Sequence, residues 1–518
     1  MTELPKGWAP ARLSDICDIN PRVDKSAIDH TQLVSFVPMP AVEAENGRID
    51  VLATRPFGEV KQGYTPFQTG DVLFAKITPC MENGKMAIVP KMPSEYGFGS
   101  TEFHVLRPLC GVEPRFIYHM VSNQGFRYHA EHHMTGAVGQ KRVPASLLAD
   151  HPVAVPPLNE QRRIVQKIEA MFEQIDKGVE SLRVAKTTLG LYRQSLLKSA
   201  FEGRLTATWR AQNPDKLETP KTLLARIQKE RETRYKSALD DWQTALAEWR
   251  AGGEQGRKPA KPSRPEQFEV KAALRERIQA PKEWALDAMG NHIDFLTSGS
   301  RGWADYYASE GAVFIRAQNL KFDRLEMNDI AYVKLPDGNS EGMRTLVRNG
   351  DLLITITGAN VTKTAVVETD FDIAYVSQHV ALCRLGPELL PRYVWNYLVS
   401  EACGRKQLED AAYGAGKPGL NLTNISEVVV PICSPAEQAE ITRILDARLT
   451  AADAMEAEIN AALLRAEALR QSILKQAFSG TLVPQDPTDE PAPTLLAHIK
   501  AERAKAGKTK PRKTVHAG

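Results

Sequence analysis

The chain has 518 residues, of which 42% are hydrophobic and 25% are charged, and its formal net charge is +3. This balance is typical of soluble globular proteins and excludes a disordered, collagenous or membrane-embedded chain. At ~150 residues per domain, the length predicts three or four structural units.

The start of the chain and its cysteines indicate a cytoplasmic protein. No apolar run approaches the ~18 residues that span a bilayer, and MTELPKGWAP lacks the plan of a signal peptide. The six cysteines lie far apart and no C-x-x-C pair occurs, so we expect reduced, packed thiols without a zinc ribbon.

The chain contains two copies of one plan. YRQSLLKSAFEGRL (192–205) and LRQSILKQAFSGTL (469–482) share nine identical positions at a constant offset of 277. Nearly the same offset relates Lys6-Gly-Trp8 to Lys282-Glu-Trp284. The sequence therefore predicts a duplicated unit of roughly 275 residues.

Each copy begins with a region of short apolar runs broken by glycine, proline and asparagine, at 1–157 and 283–434. GDVLFAKI (70–77) and GDLLITIT (350–357) are typical strands. We predict an α+β fold with two similar mixed α/β globules, each built around a curved sheet. RFIYHMVSN and RYVWNYLVS indicate short helices late in each globule.

Each globule is followed by a long helical stretch, at 159–202 and 435–481, and no proline occurs within 159–201 or 436–478. Apolar residues recur there in alternating steps of three and four, which predicts a stripe along helices of about 65 Å. Each stripe could pack on its own globule. The duplication favours two helices that pair as an antiparallel coiled coil about a pseudo-twofold axis and separate the globules.

The central region, 158–282, also holds an extra helix at 222–250 and a linker at 251–265 that is rich in glycine, proline and lysine. The region 482–518 is predicted to form a helix and a basic, partly disordered tail. TLLARIQKER (222–231) matches TLLAHIKAER (494–503).

Catalytic signatures are absent from the sequence. There is no Walker A motif and no N-P-P-Y tetrapeptide. GAGKPG (414–419) lacks the strand and helix that a dinucleotide site needs. His129 and His133 have the spacing of two metal ligands, but a third ligand is missing, so a surface helix is the better interpretation. We predict no catalytic residue, no metal and no cofactor in this chain.

Two globules on a rigid helical spacer suit a periodic target, and duplex DNA is the obvious candidate. Amide side chains can bridge adenine, while arginine and lysine can contact guanine or phosphate. Residues 1–157 hold 15 basic and 16 acidic side chains, and 283–434 hold 13 and 19, so the basic groups would have to cluster. The candidate DNA-binding residues are Lys76, Lys85, Gln140, Lys141 and Arg142 in the first globule, and Arg316, Gln318, Asn319, Asn360, Lys363, Gln378, His379, Lys417 and Asn421 in the second.

The layout resembles the specificity subunit of type I restriction–modification systems over nearly the whole chain. The resemblance depends on VPPLNEQRRIVQKIE (155–169) and VPICSPAEQAEITRIL (430–445), which open the long helices, and on the two matching helix ends. The candidate spacer and partner-docking residues lie in these motifs: Glu160, Gln161, Arg193, Gln194 and Phe201, with Glu437, Gln438, Arg470, Gln471 and Phe478.

The resemblance implies a non-catalytic subunit in which each globule is a target recognition domain for one half of an interrupted, asymmetric double-stranded DNA sequence. It implies that the paired helices fix the gap between the half-sites. Two methylation subunits and two restriction subunits would bring S-adenosylmethionine, ATP and Mg²⁺, and no membrane would be involved. The 222–265 segment departs from the family pattern, and we expect a partner-docking helix with a linker.

Two other hypotheses stay open on the sequence. The chain could be a structural coiled-coil adaptor that links two protein-binding globules without nucleic acid. It could also be an enzyme with an unrecognised site around His129–His133.

Overall fold

The structure is a computed structural model. It describes residues 4–26, 28–44, 47–49, 53–137, 139–256, 258–299, 301–321, 323–336, 342, 344–414 and 418–508, except the side chains of 506–508. Lys417 lies outside the described residues.

The chain divides into two compact units. Unit 1 comprises Met1–Val184 and Ile459–Gly518, and unit 2 comprises Ala185–Glu458. Each unit contains one globule and about half of each long helix. The five domains that we predicted are consecutive stretches of chain. The two units are divided differently, because the boundaries between them lie inside the long helices.

The first globule contains two four-stranded sheets rather than the single curved sheet that we predicted. One is antiparallel throughout, and in the other Leu33–Val37 and Gly97–Gly99 run parallel. A two-stranded pair, Ala9–Arg12 with Pro152–Val155, joins the two ends of the globule. The strand orders are Cys17–Ile19, Phe103–Pro108, Val72–Ala75, Met86–Ile88, and Ala53–Pro56, Leu33–Val37, Gly97–Gly99, Thr65–Phe67.

The second globule repeats this topology. Ala312–Ile315 and Ala374–Val376 form its parallel pair, and Ala285–Ala288 pairs with Val429–Ile432. A small hairpin, Leu320–Lys321 with Arg324–Leu325, is additional. The strand orders are Ile293–Ser298, Val380–Leu385, Leu352–Thr355, Thr364–Val366, and Tyr307–Ala308, Ala331–Val333, Ala312–Ile315, Ala374–Val376.

A fully buried strand lies between two cores in each globule. Val72 and Phe74 belong to the core that reaches the long helices, whereas Leu73 and Ala75 belong to a second core. Side chains alternate between the faces of a strand, so an uninterrupted apolar run lets one strand serve both cores. Leu352 and Leu353 divide in the same way in the second globule.

Short helices complete the globules, including the one that the sequence predicted late in each globule, Pro114–Ser122 in the first and Pro391–Val399 in the second. The described short α-helices are Leu13–Ile16, Phe57–Val60, Pro114–Ser122, Gln124–His132 and Ala145–Asp150 in globule 1, Pro391–Val399, Gly404–Ala411 and Leu422–Ser426 in globule 2, and Ala207–Gln212 and Ala272–Arg277 between the globules.

The first long helix is Leu158–Phe201 and the second is Pro435–Phe478, each of 44 residues. In unit 1, Ile164 and Ile168 share a core with Ile473, Leu474 and Ala477. In unit 2, Leu197 and Phe201 share one with Ile441 and Leu445. In both units the start of one helix lies beside the end of the other, so the helices are antiparallel there.

The helix in the central region, Pro220–Ala251, begins as a counterpart of the C-terminal helix, Ala492–Lys508. Arg231 Nη2 donates to the carbonyl of Gly290 at 3.1 Å, and Arg503 Nη1 donates to the carbonyl of Ser14 at 2.8 Å. Each helix therefore packs on one globule at equivalent positions. The C-terminal helix continues to Lys508, so the helix that we predicted in the region 482–518 covers much of its described part.

Beyond Arg231 the central helix packs against the linker that follows it. Trp242 Nε1 donates to the carbonyl of Pro259 at 3.0 Å, and Trp249 Nε1 donates to the carbonyl of Gly256 at 3.4 Å. The helix and linker thus form a hairpin that the C-terminal helix lacks within the described residues.

All six cysteines are free thiols, and Cys17, Cys383 and Cys433 are buried. Burial raises the pKa of the Cys17 and Cys383 thiols, which keeps both protonated. Over the described part of the chain, no helix is long and apolar enough to cross a bilayer.

Candidate nucleic-acid interface

A buried tryptophan–glutamate bond joins each globule to the start of the helix that follows it. Trp8 Nε1 donates to Glu160 Oε1 at 3.0 Å, and Trp284 Nε1 donates to Glu437 Oε2 at 2.9 Å. Both carboxylates are at most 1% exposed. Glu160 and Glu437 therefore hold the globules and are inaccessible to a partner, which corrects the partner-docking role that we gave them.

The two buried carboxylates have different polar neighbours. Burial raises the pKa of Glu160, although the Trp8 bond and the charge of Arg163 oppose this. Arg163 itself pairs with Asp489 at 2.6 Å. Glu437 accepts from Thr206 Oγ1 at 2.8 Å and from Arg210 Nε at 3.0 Å.

The adjacent glutamines bind main chain on both sides. Gln161 Oε1 accepts from the Glu113 amide at 3.0 Å, and its Nε2 donates to the Pro156 carbonyl at 3.0 Å. Gln438 Oε1 accepts from the Leu390 amide, and its Nε2 donates to the Cys433 carbonyl, both at 3.0 Å. Both glutamines are buried, so they too are positioning residues and not a surface for partners.

The motif at the helix ends completes the attachment. Gln194 Oε1 accepts from the Glu401 amide at 3.0 Å, and Gln471 Oε1 accepts from the Gln124 amide at 3.1 Å. Phe201 packs 5.2 Å from the Tyr393 ring, and Phe478 packs 5.4 Å from the Phe116 ring. Each globule is thus gripped by the start of one long helix and the end of the other.

Two arginines pair across the long helices at equivalent positions. Arg193 reaches Asp453 at 2.8 Å and Glu456 at 2.5 Å, and Arg470 pairs with Asp176. Arg470 also lies over the Phe172 ring, 4.9 Å from its centroid. The helix-end motif predicted a role for both arginines. No role was predicted for Trp8 or Trp284, although the Lys-x-Trp match at equivalent positions was a signal for them.

Four predicted DNA-binding residues of globule 1 lie together where two loops meet. Ile77 forms an antiparallel bridge to Arg142, which forms another to Thr135. We call this three-residue ribbon the loop platform of globule 1. Lys76 precedes the platform, and Gln140 and Lys141 lie in its second loop.

The Arg142 side chain is already engaged. It makes two bonds of 2.9 Å to the carboxylate of Glu102, which lowers the pKa of that carboxyl. Among the described residues, Lys76 and Lys141 form no ion pair within 4 Å. Of the four cations that we predicted to bind DNA in globule 1, Lys76 and Lys141 are therefore the two whose side chains are available to a phosphate.

Globule 2 has an equivalent platform, formed by bridges from Thr357 to Gly419 and from Gly419 to Tyr413. Neighbouring turns converge on it. The Ile356 amide donates to the His379 carbonyl at 2.9 Å, and Asn360 Nδ2 donates to the Ala317 carbonyl at 3.3 Å. The structure thus brings together six predicted DNA-binding residues, Arg316, Gln318, Asn360, Lys363, Gln378 and His379.

The described cations around this second platform are paired. Arg316 lies 3.4 Å from Asp329, and Lys363 lies 3.8 Å from Asp323. Gln378 is exposed. The platform of globule 2 therefore presents neutral amides and the Tyr413 ring, whereas the platform of globule 1 presents lysines without an ion pair among the described residues.

Three of the predicted residues serve the fold instead. Lys85 Nζ donates to the Val42 carbonyl at 3.0 Å, and Asn319, only 4% exposed, bonds the carbonyls of Glu326 and Asp329. The Asn421 side chain caps a helix by accepting from the Asn424 amide at 2.7 Å. Their DNA-binding assignments are corrected because these side chains are occupied, and Lys417 lies outside the described residues.

His129 and His132 lie on the helix Gln124–His132, and His133 follows it directly. The rings of His129 and His133 are 4.4 Å apart, and those of His129 and His151 are 5.5 Å apart. Burial lowers the pKa of His151 to about 4, and the nearby His129 adds to the effect. In the described part of the chain, no group of three or more histidine, cysteine or acidic side chains is placed to hold a metal ion.

Comparisons with known proteins agree on one family. Residues 5–181 match the model of the type I restriction modification DNA specificity domain. The chain is 24% identical to the EcoKI specificity subunit of Escherichia coli K12 over 98% of this chain and 97% of that one. It is 24% identical to the EcoAI specificity subunit of Escherichia coli over 86% of this chain and 78% of that one.

Solved structures show the same fold. A chain from a study of assembly and conformational transition of the type I R-M system matches with a TM-score of 0.65 and 19% identity, over 93% of this chain and all of that one. The HsdS subunit of Thermoanaerobacter tengcongensis matches with a TM-score of 0.52 and 19% identity, over 93% of this chain and 98% of that one.

Proposed function

Because the chain belongs to the specificity subunits of type I restriction–modification systems, we propose that it reads a bipartite, asymmetric sequence in double-stranded DNA, one half with each globule. The proposal depends on one observation. Both globules present a loop platform at equivalent positions, and the two platforms differ in their side chains. Equivalent scaffolds with different surface chemistry are what two unlike half-sites require.

The proposal assigns phosphate contacts and base contacts to different residues. Lys76 and Lys141 would fix globule 1 on the backbone, since lysines without an ion pair can neutralise phosphates. Gln378 and Asn360 would face base edges from globule 2, because amides offer both donors and acceptors there.

The chain would also carry the methylation and restriction subunits of the complex, two of each. Tyr192 in unit 2 and Leu469 in unit 1 occupy equivalent positions and are 42% and 49% exposed. Large apolar side chains at equivalent exposed positions suit two copies of one partner. We assign S-adenosylmethionine to the methylation subunits, and ATP and Mg²⁺ to the restriction subunits, with adenine as the methylated base.

The length of the long helices would set the gap between the half-sites. An uninterrupted helix of 44 residues has a contour length of about 65 Å. A spacer of that kind would fix the gap irrespective of its base sequence.

A domain exchange tests the proposal. Residues 1–157 would be replaced by the equivalent globule of a relative, and single-molecule sequencing of genomic DNA would report the methylated sequence in cells with all subunits. We expect one half-site to change while the gap and the other half-site remain. A change in both halves, or in neither, would contradict the proposal.

The reciprocal exchange of residues 283–434 is the matched control and should change only the other half-site. The adaptor hypothesis, with no nucleic acid involved, predicts no methylated sequence that follows either globule. The relatives do not support that hypothesis.

A further inference from the structure

The loop platform of globule 2 carries an exposed aromatic side chain. Tyr413 is 61% exposed, and within the described residues no aromatic ring or cation stacks on it. A ring this exposed leaves apolar surface and a π-face available to a partner.

The backbone beneath this ring is fixed. The Tyr413 amide donates to the Gly419 carbonyl at 3.0 Å, and the Gly419 amide donates to the Tyr413 carbonyl at 2.9 Å. The Leu420 amide in turn donates to the Ile356 carbonyl at 2.8 Å. The exposed ring is thus mounted on a ribbon that is anchored to the end of a buried strand.

The residue opposite Tyr413 leaves the ring uncovered. Paired residues of an antiparallel bridge direct their side chains to the same face, and Gly419 has none. At the equivalent place in globule 1, Arg142 fills that position and pairs with Glu102, and Thr135 stands where Tyr413 does. The two platforms therefore differ in chemistry at these positions.

The surroundings of Tyr413 suit nucleic acid better than a protein core. Asn360, Lys363 and Gln378 lie on the turns that converge on the same platform, and Thr357 is bridged to Gly419. A rigid ring among amides and a cation matches a base face between hydrogen-bonding edges and phosphates.

We propose that Tyr413 is a DNA-contacting residue of globule 2 whose ring stacks on a base at an opened step of the half-site. This inference rests on the proposed function. To the residues that contact phosphates and base edges it adds one that packs against the face of a base. Lys76 and Lys141 have no such role, so the two globules would engage their half-sites by different means.

The test compares three variants in the complex assembled with the methylation subunits. Tyr413→Ala removes the ring, Tyr413→Phe keeps the ring without its hydroxyl, and Tyr307→Ala is the matched control. Tyr307 is 51% exposed and pairs with Val333, which also pairs with Ala312. Ala312 begins the strand that ends at Ile315, next to Arg316, so Tyr307 lies at the end of the sheet away from the platform.

The probe is a duplex that contains the methylated sequence of the wild-type complex, with 2-aminopurine placed at successive positions of the half-site assigned to globule 2. We expect Tyr413→Ala to weaken binding about tenfold or more, as for other base–aromatic contacts. Tyr413→Phe and Tyr307→Ala should bind within about twofold of wild type. Wild type and Tyr413→Phe should alter 2-aminopurine fluorescence at one position, and Tyr413→Ala should not.

Two results would overturn the inference. In the first, Tyr413→Ala binds DNA as tightly as Tyr307→Ala, with the fluorescence change intact. In the second, Tyr413→Ala keeps its DNA affinity in assembled complexes but retains less methylation subunit on purification, which would make the ring a protein contact. A wild-type complex that does not bind its methylated sequence would contradict the proposed function itself.

Discussion

Trp8 and Glu160 are 152 residues apart in the chain, yet the indole N–H donates to the buried carboxylate at 3.0 Å. Trp284 and Glu437 repeat the bond in unit 2. Since each bond links a globule to a long helix, the orientation of the recognition loops depends on residues far from them.

Removing one donor should weaken this attachment. Trp8→Phe keeps most of the ring but leaves the Glu160 carboxylate without its indole partner. We expect a loss of about 1–3 kcal/mol in the free energy of unfolding, measured by urea denaturation, because an unsatisfied buried acceptor is costly. Trp249→Phe is the control. It removes a long bond of 3.4 Å on a more exposed ring and should cost little.

Glycine is required where each long helix ends. Gly203 has φ of +71°, and a Cβ there would lie 2.1 Å from Cγ of Pro281. Gly203→Ala should therefore cost more than the about 1–2 kcal/mol of a left-handed alanine alone. Gly253→Ala is the matched control, because Gly253 has φ of +78° with nothing within 4 Å of its Cβ position. Equal losses in thermal denaturation would show that the contact with Pro281 is unimportant.

Unit 2 should lose stability as the pH rises above neutral. His292 is buried 3.0 Å from Asp287 and 3.7 Å from Glu388. Burial opposes protonation, but the hydrogen bond to Asp287 and the nearby Glu388 carboxylate raise the pKa of His292 above its ordinary value. A raised pKa gives stability that is complete below about pH 6.5 and is lost as the pH passes the folded-state value.

The measurement is urea denaturation at several pH values from 6 to 9. Glu388, which also faces Arg234 at 3.4 Å, has a lowered pKa, so its own contribution falls only in acid and does not disturb this range. His292→Gln should be less stable at pH 6 and should flatten the decline. If the stability of that variant fell as steeply with pH as that of the wild type, groups other than His292 would be responsible for the pH dependence.

Two lysines of globule 1 should behave oppositely towards DNA. Lys141→Ala should weaken binding to every sequence and lower the slope of log affinity against log salt by about one, since one phosphate contact is lost. Lys85→Met should keep the slope and reduce stability instead, because Lys85 Nζ bonds carbonyls inside the globule. Fluorescence anisotropy over a salt series separates the two effects.

Longer helices should widen the gap in the recognised sequence. Inserting four residues at equivalent exposed positions in both long helices adds about 6 Å, or about two base pairs of DNA. We expect single-molecule sequencing to show the same half-sites with a longer gap. An unchanged gap would show that helix length does not set it.

Sequence periodicity located the long helices within one residue at most ends, because a stripe of apolar residues and terminal glycines are local signals. It could not tell Lys141 from Lys85, or Gln318 from Asn319. Those distinctions depend on carbonyls brought near by folding, such as Val42 for Lys85 and Glu326 for Asn319. Single curved sheets were predicted for the same reason, since local patterns do not reveal which strands pair.

The four glutamines Gln161, Gln194, Gln438 and Gln471 all accept from main-chain amides of the globules, those of Glu113, Glu401, Leu390 and Gln124. Every residue except proline offers that same donor. At these points the long helices place almost no demand on side-chain identity in the globule they hold. A lineage could therefore acquire a foreign globule by recombination, or let its own diverge rapidly, and keep these joints unaltered.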